Sequence, residues 1–85
     1  MATLKLFIRF NLISKRLNQK GLAAIQCRIT YNKQRKDFST GLFVIPEHWN
    51  SKKQKLLETS EQHEYVNLQL SLIKNKINKA FLFRI

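Results

Sequence analysis

Residues 23–38 read AAIQCRITYNKQRKDF, and their alternation decides the fold. Ala23, Ile25, Cys27, Ile29 and Tyr31 fall on one side of an extended chain, with Ala24, Gln26, Arg28 and Thr30 on the other, because strand side chains repeat every two residues. Asn32-Lys33 then supplies a two-residue turn. Asn tolerates a positive φ there, while Lys33 stands where glycine is the usual second turn residue and carries a conformational cost. With that turn, Tyr31 faces Gln34, Cys27 faces Phe38 on an inner face, and Arg28 faces Asp37 on an outer face. An apolar contact and an opposite-charge pair both favour this register.

The flanking sequence extends the pattern. Thr3 to Leu12 alternates, with Leu4, Leu6, Ile8, Phe10 and Leu12 on one face and Lys5, Phe7, Arg9 and Asn11 on the other. Ile13 to Gly21 is polar and basic and reads as a loop. Downstream, Gly41 interrupts the third strand and predicts a bulge or bend. Leu42 to Ile45 runs into Pro46, which cannot donate to a ladder and ends the strand. Trp49 is expected as a lid over the end of the core. Asn50 to Leu57 reads as a connecting loop.

A helix follows from Thr59 or Ser60. Thr59-x-x-Gln62 fits a capping box, and Glu61 and Glu64 suit the positive end of the helix dipole. Val66, Leu70, Ile73, Ile77 and Ala80 recur at helical spacing, and Tyr65, Leu68, Leu72 and Phe81 are expected to widen that stripe. Residues 74–85 carry late cations and no stop signal, and an apolar chain end suggests the first piece of a longer protein. The fold class expected is α+β: a three-stranded antiparallel sheet packed against one C-terminal helix, with residues 1–85 forming a single domain.

Charge narrows the function. The chain has 85 residues with 16 Lys plus Arg against 5 Asp plus Glu, a net charge of +11. Residues 1–36 hold nine of those cations and no acid; residues 37–64 are net −2 and residues 65–85 net +4. Such an acid-free stretch repels itself until a polyanion neutralises it, which points to nucleic acid. An anionic membrane is disfavoured because the cations do not share one amphipathic helix, and no apolar run approaches the length of a bilayer span.

Catalysis and cofactors find no support. A chain this short buries only about 60% of its unfolded surface, leaving little room for a catalytic cleft. His48 and His63 with the single Cys27 match no zinc spacing, and Cys27 reads as a small core hydrophobe. Two glycines cannot build a phosphate-cradling loop. No metal, cofactor or small-molecule substrate is therefore expected. One cysteine excludes a disulfide-stapled scaffold, and the N-terminus lacks a signal-peptide pattern, so a cytoplasmic location is expected.

The outer sheet face is the candidate site. Lys5 and Arg9, then Gln26, Arg28 and Thr30, then Arg35 and Ser39 point away from the helix. A three-stranded sheet fits a major groove about 12 Å wide, where Arg can read guanine and Gln adenine. Lys15, Arg16 and Lys20 in the first loop and Lys33 at the hairpin tip would meet phosphates. Phe7 is expected to lie under the first loop rather than open for stacking. An RNA-binding module and a protein-interaction module, the latter using the late helix, are the rival readings.

The order of strand, basic loop, strand and Asn turn, then Arg35-Lys36-Asp37-Phe38-Ser39-Thr40-Gly41 and Pro46-Glu47-His48-Trp49-Asn50 before a long helix, resembles the N-terminal arm-type DNA-binding domain of tyrosine site-specific recombinases. It looks most like integrases of Bacteroides-type phages and conjugative transposons. Phe38-Ser39-Thr40-Gly41 with Pro46 and Trp49 is the most specific element, and the resemblance covers essentially the whole chain. It implies a sheet that enters the major groove of double-stranded DNA at arm-type sites. It also implies partner core-binding and catalytic domains elsewhere in the same chain, and no catalytic residue here. Lys33 and a glycine-poor first loop depart from the family pattern.

Overall fold

The computed structural model describes residues 6–83, with side chains as far as Phe81. Three antiparallel strands, β1 (Leu6–Leu17), β2 (Ala23–Tyr31) and β3 (Gln34–Val44), form a sheet in the order β1-β2-β3. Pro46–His48 makes one 3-10 turn, and two short strands, β4 (Trp49–Asn50) and β5 (Lys55–Leu56), pair antiparallel. The helix α1 (His63–Phe83) closes the domain. The fold is the α+β sheet-on-helix arrangement that the alternation predicts.

The central hairpin has the expected register. Tyr31 pairs with Gln34, Arg28 with Asp37 and Cys27 with Phe38. Asn32 and Lys33 both adopt positive φ, 49° and 65°, the mirror-image turn whose twist suits a hairpin. Phe38 nevertheless stays 40% exposed, because β3 is an edge strand and Phe38 lies beyond the side chains packed against the core. Gly41, at φ 79°, sits in the expected bulge, where three residues of β3 oppose Ile25 alone. The Thr40 hydroxyl donates to the Ile25 carbonyl at 2.7 Å, and the Leu42 N–H donates to Thr40 Oγ1 at 3.2 Å, so the bulge keeps its polar groups paired.

Four expectations are corrected. The first strand does not stop at Leu12 but runs to Leu17, with Ser14, Lys15 and Arg16 bulged between the Ile13–Ala24 and Leu17–Ala23 pairs. The remaining loop is short: Asn18 Oδ1 accepts from the Lys20 and Leu22 N–H groups, and Gly21 takes a positive φ. Local side-chain acceptance of this kind closes a turn that composition alone cannot delimit. The start of the strand, Thr3 to Lys5, lies outside the described residues.

Asn50 to Leu57 is not a plain loop but holds β5 and the turn that pairs it with β4. Asn50 Oδ1 accepts from the Lys52 and Lys53 N–H groups, and Gln54 takes a left-handed φ of 54°, turning the chain back without glycine. The Asn67 side-chain amide then donates to the Leu56 carbonyl at 3.1 Å and accepts from the Leu56 N–H at 2.8 Å, tying α1 to β5.

The helix starts later than the capping box predicts. Ser60, not Thr59, takes the Gln62 N–H on its hydroxyl, and α1 proper begins at His63, whose N–H reaches the Ser60 carbonyl. Ser60 is itself buried, so the bend before α1 is anchored in the core while Thr59 faces solvent.

The apolar stripe on α1 is also narrower than expected. Val66 and Leu70 are buried, Ile73 and Ile77 pack against the core, and Tyr65, Leu68 and Leu72 are exposed at 61%, 57% and 48%. These three lie on the side of the helix opposite Leu70, where a single sheet cannot reach. The core itself joins Phe10, Ile25, Cys27, Val44, Leu56, Val66 and Leu70, with Trp49 against its edge. Tyr31 and Phe81 meet edge-to-face, ring centres 4.9 Å apart, and close the far end of the sheet–helix layer.

Candidate nucleic-acid interface

Strand pleating sends alternate residues of β1, β2 and β3 away from α1, and the register arranges them in cross-strand rows. Phe7, Thr30 and Arg35 form one row, and Arg9, Arg28 and Asp37 the next. Asn11, Gln26 and Ser39 form a third, and Ile13, Ala24 and Phe43 a fourth. The outer face is thus a polar centre of two rows with an apolar residue or row at each end. Arg9, Gln26, Arg28, Thr30, Arg35 and Ser39 come together on this face as expected, whereas Lys5 lies outside the described residues.

Two of the arginines are already oriented. Arg28 Nε donates to Asp37 Oδ1 at 2.8 Å and a second guanidinium nitrogen donates to Oδ2 at 3.2 Å, a two-pronged pair across β2 and β3. The hydrogen bond from Arg28 holds the Asp37 carboxyl below its ordinary range, and the same bond holds Arg28 more firmly protonated. Arg9 Nε donates to Asn11 Oδ1 at 3.0 Å. Each arginine keeps further N–H donors for a ligand, in a direction set by its neighbour. Ser39 is more tightly committed: its hydroxyl accepts the Gly41 N–H at 3.2 Å within the bulge.

The remaining expected cations bracket the sheet. Lys15 and Arg16 project from the β1 bulge, not from a loop, and Lys20 lies in the turn beside them. Lys33 caps the opposite end at the tip of the second hairpin. All four are exposed, as phosphate contacts must be.

Phe7 corrects another expectation: it is 60% exposed on the outer face and not covered by the first loop. Asn11, Asp37 and the apolar row of Ile13, Ala24 and Phe43 belong to the same face, beside the candidate contact residues. Asn11 and Asp37 were legible in the alternation. Phe43 was not, because the bulge at Gly41 resets which residues of β3 face outward.

The other candidate chemistry dissolves into structure. Cys27 is buried, and desolvation, with the Asp37 charge adding, pushes its thiol up to about 11, far from a reactive thiolate. His63 Nδ1 lies 2.8 Å from the Ser60 carbonyl and serves the helix start. Among the described residues, no three His, Cys, Asp or Glu gather as a metal site, and no helix is long and apolar enough to cross a membrane.

Fold and face together define a class: a small sheet-on-helix binding module with one solvated, cation-bearing sheet surface. The model of the arm DNA-binding domain family matches residues 10–82, nearly the full length. The chain belongs to that family, the arm-type DNA-binding domain of phage-integrase-like proteins, and its activity is DNA binding in integrase-type recombination. No curated protein and no solved structure matches the chain.

Proposed function

We propose that the chain binds double-stranded DNA at arm-type sites by laying the outer face of β1, β2 and β3 in the major groove. The observation that carries this reading is the Arg9–Arg28–Asp37 row. It spans three strands, is hydrogen-bonded to its neighbours and lies on the face turned away from the core. Arg28, oriented by Asp37, reads a guanine edge with its free donors, and Gln26 beside it reads adenine. Lys15, Arg16 and Lys20 at one end and Lys33 at the other meet the flanking phosphates. Phe7, Thr30 and Arg35 extend the contact along the groove, and Lys5 continues the same alternation.

In this reading the domain tethers a tyrosine recombinase of a mobile element to the arm sites of its DNA, in the cytoplasm. The core-binding and catalytic domains lie elsewhere in the same polypeptide, and the domain itself performs no chemistry. Titration of a mixed-sequence duplex across a salt series tests it. Neutralising about five to eight phosphates gives a log–log slope of roughly −5 to −7. A slope near zero sinks the reading, and preference for duplex RNA over duplex DNA in direct competition would redirect it to RNA.

A further inference from the structure

Behind the free edge of β1, on the side away from the outer face, lies a groove of about 340 Å³ between β1, the β4–β5 turn and α1. Lys53, Lys55 and Lys74 line it, with Ser71 and Asn67, and no acidic residue does. All three lysines are exposed. Ile8, Phe10 and Leu70 also line the groove, but like charges gathered around its rim repel each other, and an anion seated among them relieves that repulsion.

The groove is held in a particular relation to the sheet. The Phe10 N–H points out of the free edge of β1 and donates to Gln54 Oε1 at 2.8 Å. The Gln54 side chain therefore ties the turn carrying Lys53 to the free edge of β1. On its other side the Asn67 amide clamps Leu56, so β5 and its Lys55 are fixed to α1. The backbone that carries Lys53 and Lys55 is thus braced from both sides.

We propose that Lys53, Lys55 and Lys74 form a second DNA contact, a clamp for the backbone phosphates of the strand that passes the β1 edge. The inference rests on the sheet-in-groove reading above. Three strands spaced about 4.8 Å apart span roughly 10 Å and nearly fill a groove about 12 Å wide. The phosphate wall then rises alongside whatever borders the outer strand. On the β1 side that border is the Gln54 turn, so phosphates climbing the wall, about 8.5 Å high, come level with the three lysines. Lys76 and Lys79 occupy the opposite flank of α1 and meet no phosphate in this arrangement.

The experiment compares two variants of the whole 85-residue chain that remove equal charge: Lys53→Ala/Lys55→Ala and Lys76→Ala/Lys79→Ala. Both are titrated with one mixed-sequence duplex of about 30 base pairs across a salt series. Each lost phosphate contact lowers the slope by about 0.9, so the first variant should fall by about 1.8 and the second by much less. Adding Lys74→Ala to the first should take a further increment of about 0.9. Equal slopes in the two variants, with the wild type still strongly salt-dependent, overturn the clamp and leave the sheet reading intact. A wild type without salt-dependent binding overturns both. All substituted side chains are exposed, and unchanged thermal melting of each variant keeps the comparison valid.

Discussion

Along β2, two kinds of residue alternate with opposite tasks. Those facing α1, Ala23, Ile25 and Cys27, are fully buried, Ile25 and Cys27 within the apolar core. Those facing away, Gln26, Arg28 and Thr30, are partly exposed; Gln26 and Arg28 lie between polar residues of β1 and β3, and Thr30 between Phe7 and Arg35. One backbone thus carries a buried face and a solvated face that alternate residue by residue. The physical reason is economy of size: in a chain of 85 residues with a single three-stranded sheet among the described residues, period-two alternation lets that sheet supply both a core face and a solvated polar face. Substitutions on the two faces should therefore separate cleanly into folding defects and binding defects.

The largest expected effect is on the inner face. Ile25→Ala should lower unfolding stability by about 2–5 kcal/mol, because it opens a cavity at the centre of a thin core. Denaturant melting measures it, and DNA affinity per folded molecule should stay near the wild-type value. A stable Ile25→Ala protein with lost DNA binding would erase the distinction between the faces.

On the outer face, Arg28→Ala should weaken binding to a cognate duplex by roughly 5- to 150-fold while leaving the melting temperature almost unchanged. An equal loss on random-sequence duplex would make Arg28 a phosphate contact and not a base reader. Thermal melting read by circular dichroism alongside the titration shows which face the substitution disturbs.

The hairpin tip offers a smaller test. Lys33 holds a φ of 65° that glycine adopts without strain, so Lys33→Gly should raise stability by a few tenths to about 1 kcal/mol. The same change removes one expected phosphate contact, so the salt slope should fall by about 0.9. Stability and binding moving in opposite directions at one residue would sharpen the comparison between the faces.

Smallest is the pH dependence of the Arg28–Asp37 pair. The Asp37 carboxyl is depressed in the folded chain, so the pair adds stability above the ordinary carboxylate value near pH 4. That contribution is lost as pH falls through the depressed folded value. Asp37→Asn should therefore flatten the stability profile below about pH 4 and leave the profile at neutral pH parallel to wild type. An unchanged acid limb would mean that the pair does not orient Arg28 in solution.

Much of this was legible in the sequence for local reasons. The β2–β3 register follows from a two-residue turn and from period-two side chains, both of which act over a few residues. The outer positions of Arg9, Gln26, Arg28 and Arg35 follow from the same rule. Where the reading failed, distant partners intervened. β1 continues past Leu12 because Leu17 finds Ala23 directly after a three-residue bulge that no spacing marks. The β4–β5 turn escaped notice because its order depends on Gln54 meeting Phe10 and on Asn67 meeting Leu56, contacts made across 44 and 11 residues. Tyr65, Leu68 and Leu72 look like core by spacing, yet one sheet covers only one side of a helix.

By itself the sequence determined the sheet-on-helix class, the hairpin register and the basic, acid-free character of the first strands. Those properties are written in alternation, turn chemistry and charge, which need no knowledge of what packs where. The tertiary structure alone decided which side of α1 is buried, which residues of β3 face outward beyond Gly41, and that Lys53, Lys55 and Lys74 share one groove. These depend on side chains far apart in the chain meeting across a surface, and nothing in a local pattern encodes that distance.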